Sequence, residues 1–373
     1  MDVHAEVKKR YSEGAESVQT ELCCPVDYDT ELLKILPKEI IDKDYGCGDP
    51  SRYVREGDVV LDLGAGGGKI CYMAAQLVGE QGHVIGVDMN DDMLLLASKY
   101  QPEMEEKLGN NRVTFFKGYI QDLALDVHAM ENYLHEQPVT NAADLERLQA
   151  WQQAQRRDNP LVADNSVDLV ISNCVLNLVA DDQKQQMLQE IFRVLKPGGR
   201  VAISDIISDE PIPEHLKQNS DLWSGCISGA YQEEDFLNAF LDAGFVAVAY
   251  DKWEAEPWQV VEGIEFRSVT LTATRPEATE CLDYGHAVIY RGPHSSVSDD
   301  DSHVYPRGAR IAVCEKTFRL LTESGAYGED FIGIAPAQPG EPNTFCAPVG
   351  TRRPAAQTKG GSHHTTISGR GCC

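Results

Sequence analysis

From residue 58 onward, short apolar runs alternate with longer amphipathic stretches. The runs that fit buried strands are "DVVLDLG", "HVIGVDM", "VTFFKGYIQDL", "VDLVISN" and "RVAISDI". The stretches that fit helices are "KICYMAAQLVG", "DDMLLLASKYQPEMEEKL" and "QKQQMLQEIFRVL". Strands that alternate with helices predict an α/β fold built on a doubly wound, mostly parallel sheet of the Rossmann-like kind.

The same patterning divides the chain into five segments. We predict a polar, helical N-terminal segment 1–57 that contributes to the active site and a sheet-forming domain 58–208 with a helix-rich insertion 124–163. A helix-and-strand region 209–276 that binds the substrate, a small β-rich module 277–334 and a flexible tail 335–373 follow. The tail is assigned on composition, because it is rich in Pro, Gly, Ser and Thr.

Charge and hydropathy exclude several classes of partner. The 373 residues include 33 Lys and Arg against 59 Asp and Glu, a net charge of -26. Such a surface repels phosphate backbones and anionic membranes, so neither nucleic acid nor a membrane is expected as a partner. No run approaches the roughly 20 apolar residues of a membrane span, and the N-terminus has no signal-peptide core. We therefore expect a cytoplasmic protein, with a monomer as the default.

The chain contains 11 cysteines. In a reducing cytosol these are not expected to form a structural disulfide set, which favours metal, metalloid or redox chemistry. The competing interpretation is that about half are small buried hydrophobes. Zinc is not indicated, because no CxxC is present and the pairs Cys23–Cys24 and Cys372–Cys373 are too close for ordinary zinc ligands.

A glycine-rich turn lies between the first predicted strand and helix, in "VLDLGAGGGKI". Gly64, Gly66 and Gly68, with Ala65 between the first two, permit a tight turn and close approach of the backbone to a ligand. A dinucleotide fingerprint requires glycine or alanine where Lys69 stands. The pattern instead fits a loop that binds S-adenosylmethionine.

Further cofactor contacts are predicted around this loop. Asp88, followed by Met89, closes the second strand, where a carboxylate can accept hydrogen bonds from both ribose hydroxyls; the alternative is a helix cap. Asp62, a charge inside an apolar run, is expected to orient the loop or to meet the methionine amino group through water. Ile120 and Gln121 are expected at the face and edge of the adenine.

Three cysteine contexts, "DYGCG", "ISNCVLNLV" and "WSGCISGA", together resemble the arsenite S-adenosylmethionine methyltransferase family. The resemblance extends from about Gln19 to Phe331. It implies that thiolates of Cys47, Cys174 and Cys226 bind trivalent arsenic, which takes a methyl group from S-adenosylmethionine. It also implies arsenite and methylarsenite as substrates and a thiol reductant of the thioredoxin or glutathione system.

The resemblance extends to other residues. It implies a further active cysteine in "VQTELCC", for which Cys23 and Cys24 are equal candidates. Tyr45, two residues before Cys47, is expected to cover the cofactor. Cys71 is expected to be structural. The terminal Cys372–Cys373 pair resembles a metalloid-scavenging tail, with redox-active or incidental thiols as open alternatives. Asn173 and Asn177 are expected to hydrogen-bond backbone and not to be catalytic.

The chemistry of trivalent arsenic independently favours three thiolate ligands beside the cofactor. Trivalent arsenic and thiolates are both soft, and three sulfurs leave the arsenic lone pair free to attack the sulfonium methyl. Cys174 follows the fourth strand, at the sheet edge where open α/β sheets bind their cofactors. Two alternatives stay open, a methyltransferase for a selenium, sulfur or other soft acceptor and a protein that sequesters arsenic. A carbon or oxygen methyltransferase would leave the cysteines unexplained.

Overall fold

A computed structural model describes residues 3–19, 26–277, 279–336, 341–345 and 347–358. The chain divides into two compact units, residues 1–276 (unit 1) and residues 277–373 (unit 2). Among the described residues, no helix is long and apolar enough to cross a membrane.

Unit 1 is built on a nine-stranded sheet in the order β3-β2-β1-β4-β5-β9-β7, with β6 beside β5 and β8 beside β9. The strands are β1 (Val59–Leu63), β2 (His83–Asp88), β3 (Val113–Lys117), β4 (Val167–Asn173), β5 (Leu195–Ser208), β6 (Tyr231–Gln232), β7 (Val246–Trp253), β8 (Gln259–Val261) and β9 (Ile264–Thr274). β1 to β6 pair in parallel, whereas β7, β8 and β5 pair antiparallel with β9. The predicted mostly parallel α/β sheet is confirmed.

Helices cover both faces of this sheet. They are α1 (Val3–Glu16), α2 (Thr30–Leu33), α3 (Lys38–Asp42), α4 (Lys69–Leu77), α5 (Asp91–Lys99), α6 (Gln101–Leu108), α7 (Val127–Glu136), α8 (Ala142–Asp158), α9 (Asp181–Val194), α10 (Glu214–Lys217), α11 (Ser220–Ser224) and α12 (Glu233–Asp242). Successive strand residues point to opposite faces, so Leu61 belongs to one apolar core, together with residues of α9 and α12, while Val60 belongs to another, together with residues of α4. Two separate cores result.

One predicted helix is divided in the structure. The stretch expected as a single helix from Asp91 forms α5 and α6, which meet at Tyr100. Pro102 stands in the first turn of α6, where its missing N–H and fixed φ are tolerated, whereas the interior of a continuous helix would need that N–H.

The insertion 124–163 contains α7 and α8. The rings of Tyr133 and Trp151 stack with their centroids 4.8 Å apart, which joins the two helices. Arg156 of α8 forms an ion pair of 2.8 Å with Asp122 in the segment that follows β3. The insertion is thereby attached beside the edge strand of the sheet.

Unit 2 is small and rich in β structure, as predicted. It comprises β10 (Leu282–Asp283), β11 (Ala287–Tyr290), β12 (Ser296–Ser298), β13 (Val304–Pro306), β14 (Arg310–Ala312), α13 (Glu315–Thr322), β15 (Phe331–Ile334), β16 (Asn343–Thr344) and α14 (Ala355–Thr358). Its core contains Val288, Tyr305, Phe318 and Leu321.

The segment predicted as a flexible tail from residue 335 differs from that expectation where the structure describes it. β16 pairs antiparallel with β10, and Arg352 forms a bridge to Ile311. Arg353 forms an ion pair of 2.7 Å with Asp283. Backbone pairing and charged side chains hold this segment, so its low apolar content did not reveal it.

Candidate functional site

A cleft opens at the carboxyl ends of β1, β2 and β4. Its volume is about 960 Å³ including its open mouth, a size suited to a small organic ligand. Most residues predicted to bind the cofactor line it: Tyr45, Asp62, Gly64, Ala65, Gly66, Asp88, Met89, Ile120 and Gln121, together with Cys174. The parallel strands place these side chains at one edge, because all their carboxyl ends lie there.

The glycine loop forms the floor of the cleft. Gly64 and Gly66 adopt φ of +71° and +50°, in the left-handed region that favours glycine. A Cβ at Gly64 would lie 2.5 Å from the Val175 side chain, whereas a Cβ at Gly66 would have no neighbour within 4 Å. Gly66 is therefore a place where a ligand can approach the backbone closely.

Gly68 does not line the cleft, in contrast to its predicted role; Gly67 does. Gly68 precedes the first residue of α4 with φ of +86°, and a Cβ there would lie 2.9 Å from the ring of Phe115. Its glycine is required because the helix packs closely on the sheet. The third glycine of the motif thus serves packing rather than direct ligand contact.

Asp88 ties the end of β2 to the glycine loop. Its Oδ2 accepts a hydrogen bond of 2.8 Å from the Gly66 N–H, and its Oδ1 accepts one of 2.8 Å from the Asn90 N–H. Burial raises the pKa of Asp88, and these N–H donors oppose that rise. The cap of α5 is Asn90, not Asp88, so the alternative helix-cap interpretation of Asp88 is not realised. The carboxylate keeps free lone pairs on the cleft.

Asp62 is buried behind the loop and accepts a hydrogen bond of 3.1 Å from the Cys71 thiol. Burial raises the pKa of Asp62 to about 7. Burial and the neighbouring Asp62 also raise the pKa of Cys71, which keeps that sulfur protonated. A protonated, fully enclosed thiol fits the structural role predicted for Cys71.

Helix α1 lies across the mouth of the cleft, which His4, Val7, Lys8 and Tyr11 line. At the cofactor side, Lys8 forms an ion pair of 3.1 Å with Asp91. At the other side, Arg10 donates hydrogen bonds to the Asp221 carbonyl (2.7 Å) and the Ser224 hydroxyl (2.8 Å). The N-terminal segment was predicted to contribute to the active site, and α1 lines the cleft.

The three cysteines implied by the family resemblance come together beside the cleft, in one buried cluster. Cys47 and Cys174 are joined by a disulfide, with their Cα atoms 5.8 Å apart. The expectation of free cysteines is therefore wrong for this pair, because the fold brings a loop of the N-terminal segment against the end of β4. The Cys226 thiol donates a hydrogen bond of 3.2 Å to the Cys174 carbonyl.

Two of these cysteines have an unusual backbone. Cys174 and Cys226 adopt φ of +59° and +63°. A side chain in this region costs roughly 1–3 kcal/mol, and such residues concentrate at functional sites because surrounding contacts must hold them there. The backbone thus turns both sulfurs toward the same cluster at an energetic cost.

Asn173 fixes the loop that carries Cys47. Its Oδ1 accepts from the N–H groups of Cys47 (2.9 Å) and Gly48 (3.0 Å), and its Nδ2 donates to the Gly48 carbonyl (2.8 Å). Asn177 donates to the carbonyls of Ile206 (2.6 Å) and Cys226 (3.3 Å). Both asparagines bond backbone, as expected.

Asp205 is a site residue that the sequence analysis missed. One of its oxygens and the sulfurs of Cys47 and Cys174 all lie within 4.8 Å of one another. The carboxylate accepts from the N–H groups of Leu176 (2.9 Å) and Ile206 (2.8 Å), and burial raises its pKa to about 7. A charge inside the apolar run "VAISDII" was an available signal, the same one that singled out Asp62.

Tyr11 is a second missed residue. Its hydroxyl hydrogen-bonds the Cys226 thiol, and burial, followed by that thiol, raises the pKa of Tyr11. No feature of the local sequence could have indicated a contact across more than 200 residues. Cys23 and Cys24, the candidates for a further active cysteine, lie outside the described residues, as does the Cys372–Cys373 pair.

Comparisons with known proteins agree with this geometry. A family model described as a methyltransferase domain matches residues 55–141 and 142–244, and a domain of unknown function matches residues 277–363. An arsenite methyltransferase of Aquipseudomonas alcaligenes is 31% identical over 344 residues, covering 86% of this chain and 88% of the relative. An arsenite methyltransferase of Mus musculus is 31% identical over 353 residues, covering 89% of this chain and 83% of the relative.

A solved structure is similar over the same length. The arsenic(III) S-adenosylmethionine methyltransferase of Chlamydomonas reinhardtii has a TM-score of 0.56 and 29% identity, and the match covers 87% of this chain and 100% of that one. The similarity therefore extends well beyond residues 55–244.

Proposed function

We propose that this chain, which belongs to the arsenite methyltransferase family, transfers methyl groups from S-adenosylmethionine to trivalent arsenic. The arsenic is held by Cys47, Cys174 and Cys226. The observation that carries this proposal is the convergence of the three cysteines in one buried cluster, with Cys174 also lining the cleft. Cys174 thus adjoins both the metalloid position and the cofactor position.

The groups that line the cleft match the parts of S-adenosylmethionine. The open backbone at Gly66 suits the methionine part, the Asp88 carboxylate suits the two ribose hydroxyls, and Ile120 with Gln121 suits the adenine. Asp62 and Met89 complete the lining, and Tyr45 covers it, held by a hydrogen bond of 2.9 Å from its hydroxyl to the Gly14 carbonyl. The cofactor supplies an activated methyl group, so the protein's task is alignment.

Arsenic binding requires the reduced form of the Cys47–Cys174 pair. An external dithiol or two molecules of glutathione would reduce the disulfide, which yields two thiols and one oxidised reductant. Each thiol then displaces one hydroxide of arsenite, and its proton leaves with that hydroxide as water. Because two of the three ligands are joined as a disulfide, the proposed reaction needs a reductant such as thioredoxin or glutathione, and the cytosol supplies both.

The surrounding residues position the sulfurs. Asn173 holds Cys47, Asp205 holds the backbone after Cys174, and Tyr11 contacts Cys226. Each sulfur is thereby fixed through a different element, which limits the reorganisation needed when arsenic binds. We also propose a monomer as the working unit.

The test is methyl transfer from labelled S-adenosylmethionine to arsenite in the presence of thiol, comparing the wild type with Cys174→Ser. We expect methylated arsenic from the wild type and at least a hundredfold less from the variant, because two sulfurs hold arsenite too weakly. Calorimetry of cofactor binding is the control, since serine is nearly isosteric and should leave cofactor affinity within a few-fold. No arsenic product despite cofactor binding would refute the proposal and direct attention to selenite and thiol acceptors.

A further inference from the structure

Lys184, on α9, is a buried lysine that the proposed function does not use. Only 6% of the residue is exposed. Its Nζ donates hydrogen bonds of 2.6 Å to Asp181 Oδ1 and 2.6 Å to the Gly229 carbonyl, and it lies 4.6 Å from the centre of the Tyr231 ring. A buried ammonium is costly unless its charge and its three protons find partners, so these contacts hold Nζ at one place.

The Gly229 carbonyl belongs to a short loop that also carries Cys226. This segment, residues 225–230, connects α11 to β6 and is called the Cys226 loop below. Within it, the Ala230 N–H donates a hydrogen bond of 3.0 Å to the Ile227 carbonyl, which closes a tight turn around Gly229. Cys226 itself has a φ of +63°, a conformation that surrounding contacts must hold. The position of Gly229 therefore constrains the position of Cys226.

At Gly229 the Cys226 loop packs against the turn that follows Cys174. A Cβ at Gly229 would lie 2.0 Å from the Asn177 carbonyl oxygen, so no larger residue fits there. The Asn177 side chain in turn donates a hydrogen bond of 3.3 Å to the Cys226 carbonyl. The separation of Cys174 from Cys226 thus depends on how the loop is seated on this turn, and Lys184 holds the loop at the point of contact.

We propose that Lys184 is a positioning residue for the third sulfur of the arsenic site. Its ammonium holds the Gly229 carbonyl and thereby keeps Cys226 beside Cys174. That this sulfur serves arsenic rests on the proposed function of unit 1. The placement of the sulfur by Lys184 does not, so it can be tested without arsenic.

Lys184→Met removes the ammonium and keeps an unbranched side chain of similar volume. The Asp181 side chain left behind is 46% exposed and can be hydrated, so unit 1 should stay folded. The experiment measures the rate at which iodoacetamide labels Cys226 in the reduced full-length protein, by peptide mass spectrometry. This rate should rise roughly tenfold, because the released loop opens locally more often, whereas labelling of the buried Cys71 should stay unchanged.

Two further variants separate a local effect from a general one. Lys217→Met is the matched control, because Lys217 forms an ion pair of 3.0 Å with Asp181 from the surface, and it should leave Cys226 labelling unchanged. Asp181→Asn removes the counter-charge of Lys184 at a half-exposed position. It should raise Cys226 labelling by about threefold, and it decides the question if Lys184→Met unfolds unit 1.

Arsenite titration then tests the link to the arsenic site. Cys346, Cys372 and Cys373, which lie outside the described residues, are replaced by serine in every sample so that they cannot supply sulfur. Lys184→Met should weaken arsenite binding in the same direction as Cys226→Ser but less, by roughly tenfold, with S-adenosylmethionine affinity within about twofold of the wild type.

The outcomes distinguish this inference from the proposed function. Unchanged Cys226 labelling in both Lys184→Met and Asp181→Asn would overturn the inference, whatever the methyl-transfer assay shows. Faster labelling with unaltered arsenite affinity would overturn the link between Lys184 and arsenic. If the wild type makes no methylated arsenic, the proposed function fails, and the labelling rates still decide whether Lys184 places Cys226.

Discussion

Replacing Asn173 by alanine removes the side chain that holds the Cys47 loop against the end of β4. Four hydrogen bonds are lost: two from the N–H groups of Cys47 and Gly48, one to the Gly48 carbonyl and one of 3.3 Å to the Tyr28 hydroxyl. The loop packs directly on this amide, since a Cβ at Gly46 would lie 2.0 Å from its nitrogen. Each bond contributes about 1 kcal/mol, so we expect the free energy of unfolding to fall by roughly 3–4 kcal/mol.

The same change should weaken arsenite binding. If about half of that free energy serves to place Cys47 beside Cys174, the dissociation constant for arsenite rises by roughly tenfold. Cofactor affinity should change much less, because the contacts of Asp88 and Gly66 do not involve Asn173. The expected pattern is therefore a combined loss of stability and arsenic affinity.

Urea unfolding and arsenite titration of the reduced protein measure the two effects. Asn141→Ala is the matched control, because Asn141 caps α8 in the insertion by accepting from the Asp144 N–H at 3.1 Å. That variant should lose about 1 kcal/mol of stability and keep wild-type arsenic affinity. If Asn173→Ala loses stability but binds arsenite like the wild type, Asn173 has only a structural role. Unchanged stability would refute the hydrogen-bond reasoning itself.

Two further predictions concern the carboxylates. Asp88→Asn should weaken S-adenosylmethionine binding by about tenfold in calorimetry, because one charged acceptor on the cleft is lost; an unchanged affinity would exclude the ribose contact. The pKa of Asp205 in the folded protein is raised to about 7. Between about pH 4 and 7 the folded protein therefore keeps this carboxyl protonated, whereas the unfolded chain ionises it. As pH rises through this window, the free energy of unfolding falls by up to roughly 4 kcal/mol. Asp205→Asn should flatten this slope in urea unfolding at pH 4.5 and 7, and an unaltered slope would contradict the assignment.

The sequence by itself determined the features that depend on neighbouring residues. The apolar runs became β1 to β5 because a strand buried on both faces needs consecutive apolar side chains. The glycine loop and Asp88 were identifiable because a tight turn after one strand and a carboxylate after the next are local patterns. The cysteine contexts were equally local, and they carried the family resemblance that the comparisons confirm.

Only the tertiary structure decided which distant groups meet. Cys47 and Cys174 are separated by 127 residues, and the fold joins them through the edge of a sheet whose strands are not consecutive in sequence. The contacts of Asn173 with the Cys47 loop and of Tyr11 with Cys226 depend on the same kind of closure. Periodicity reports which face of an element is buried but not which element covers it, so these contacts followed from the packing of the whole chain.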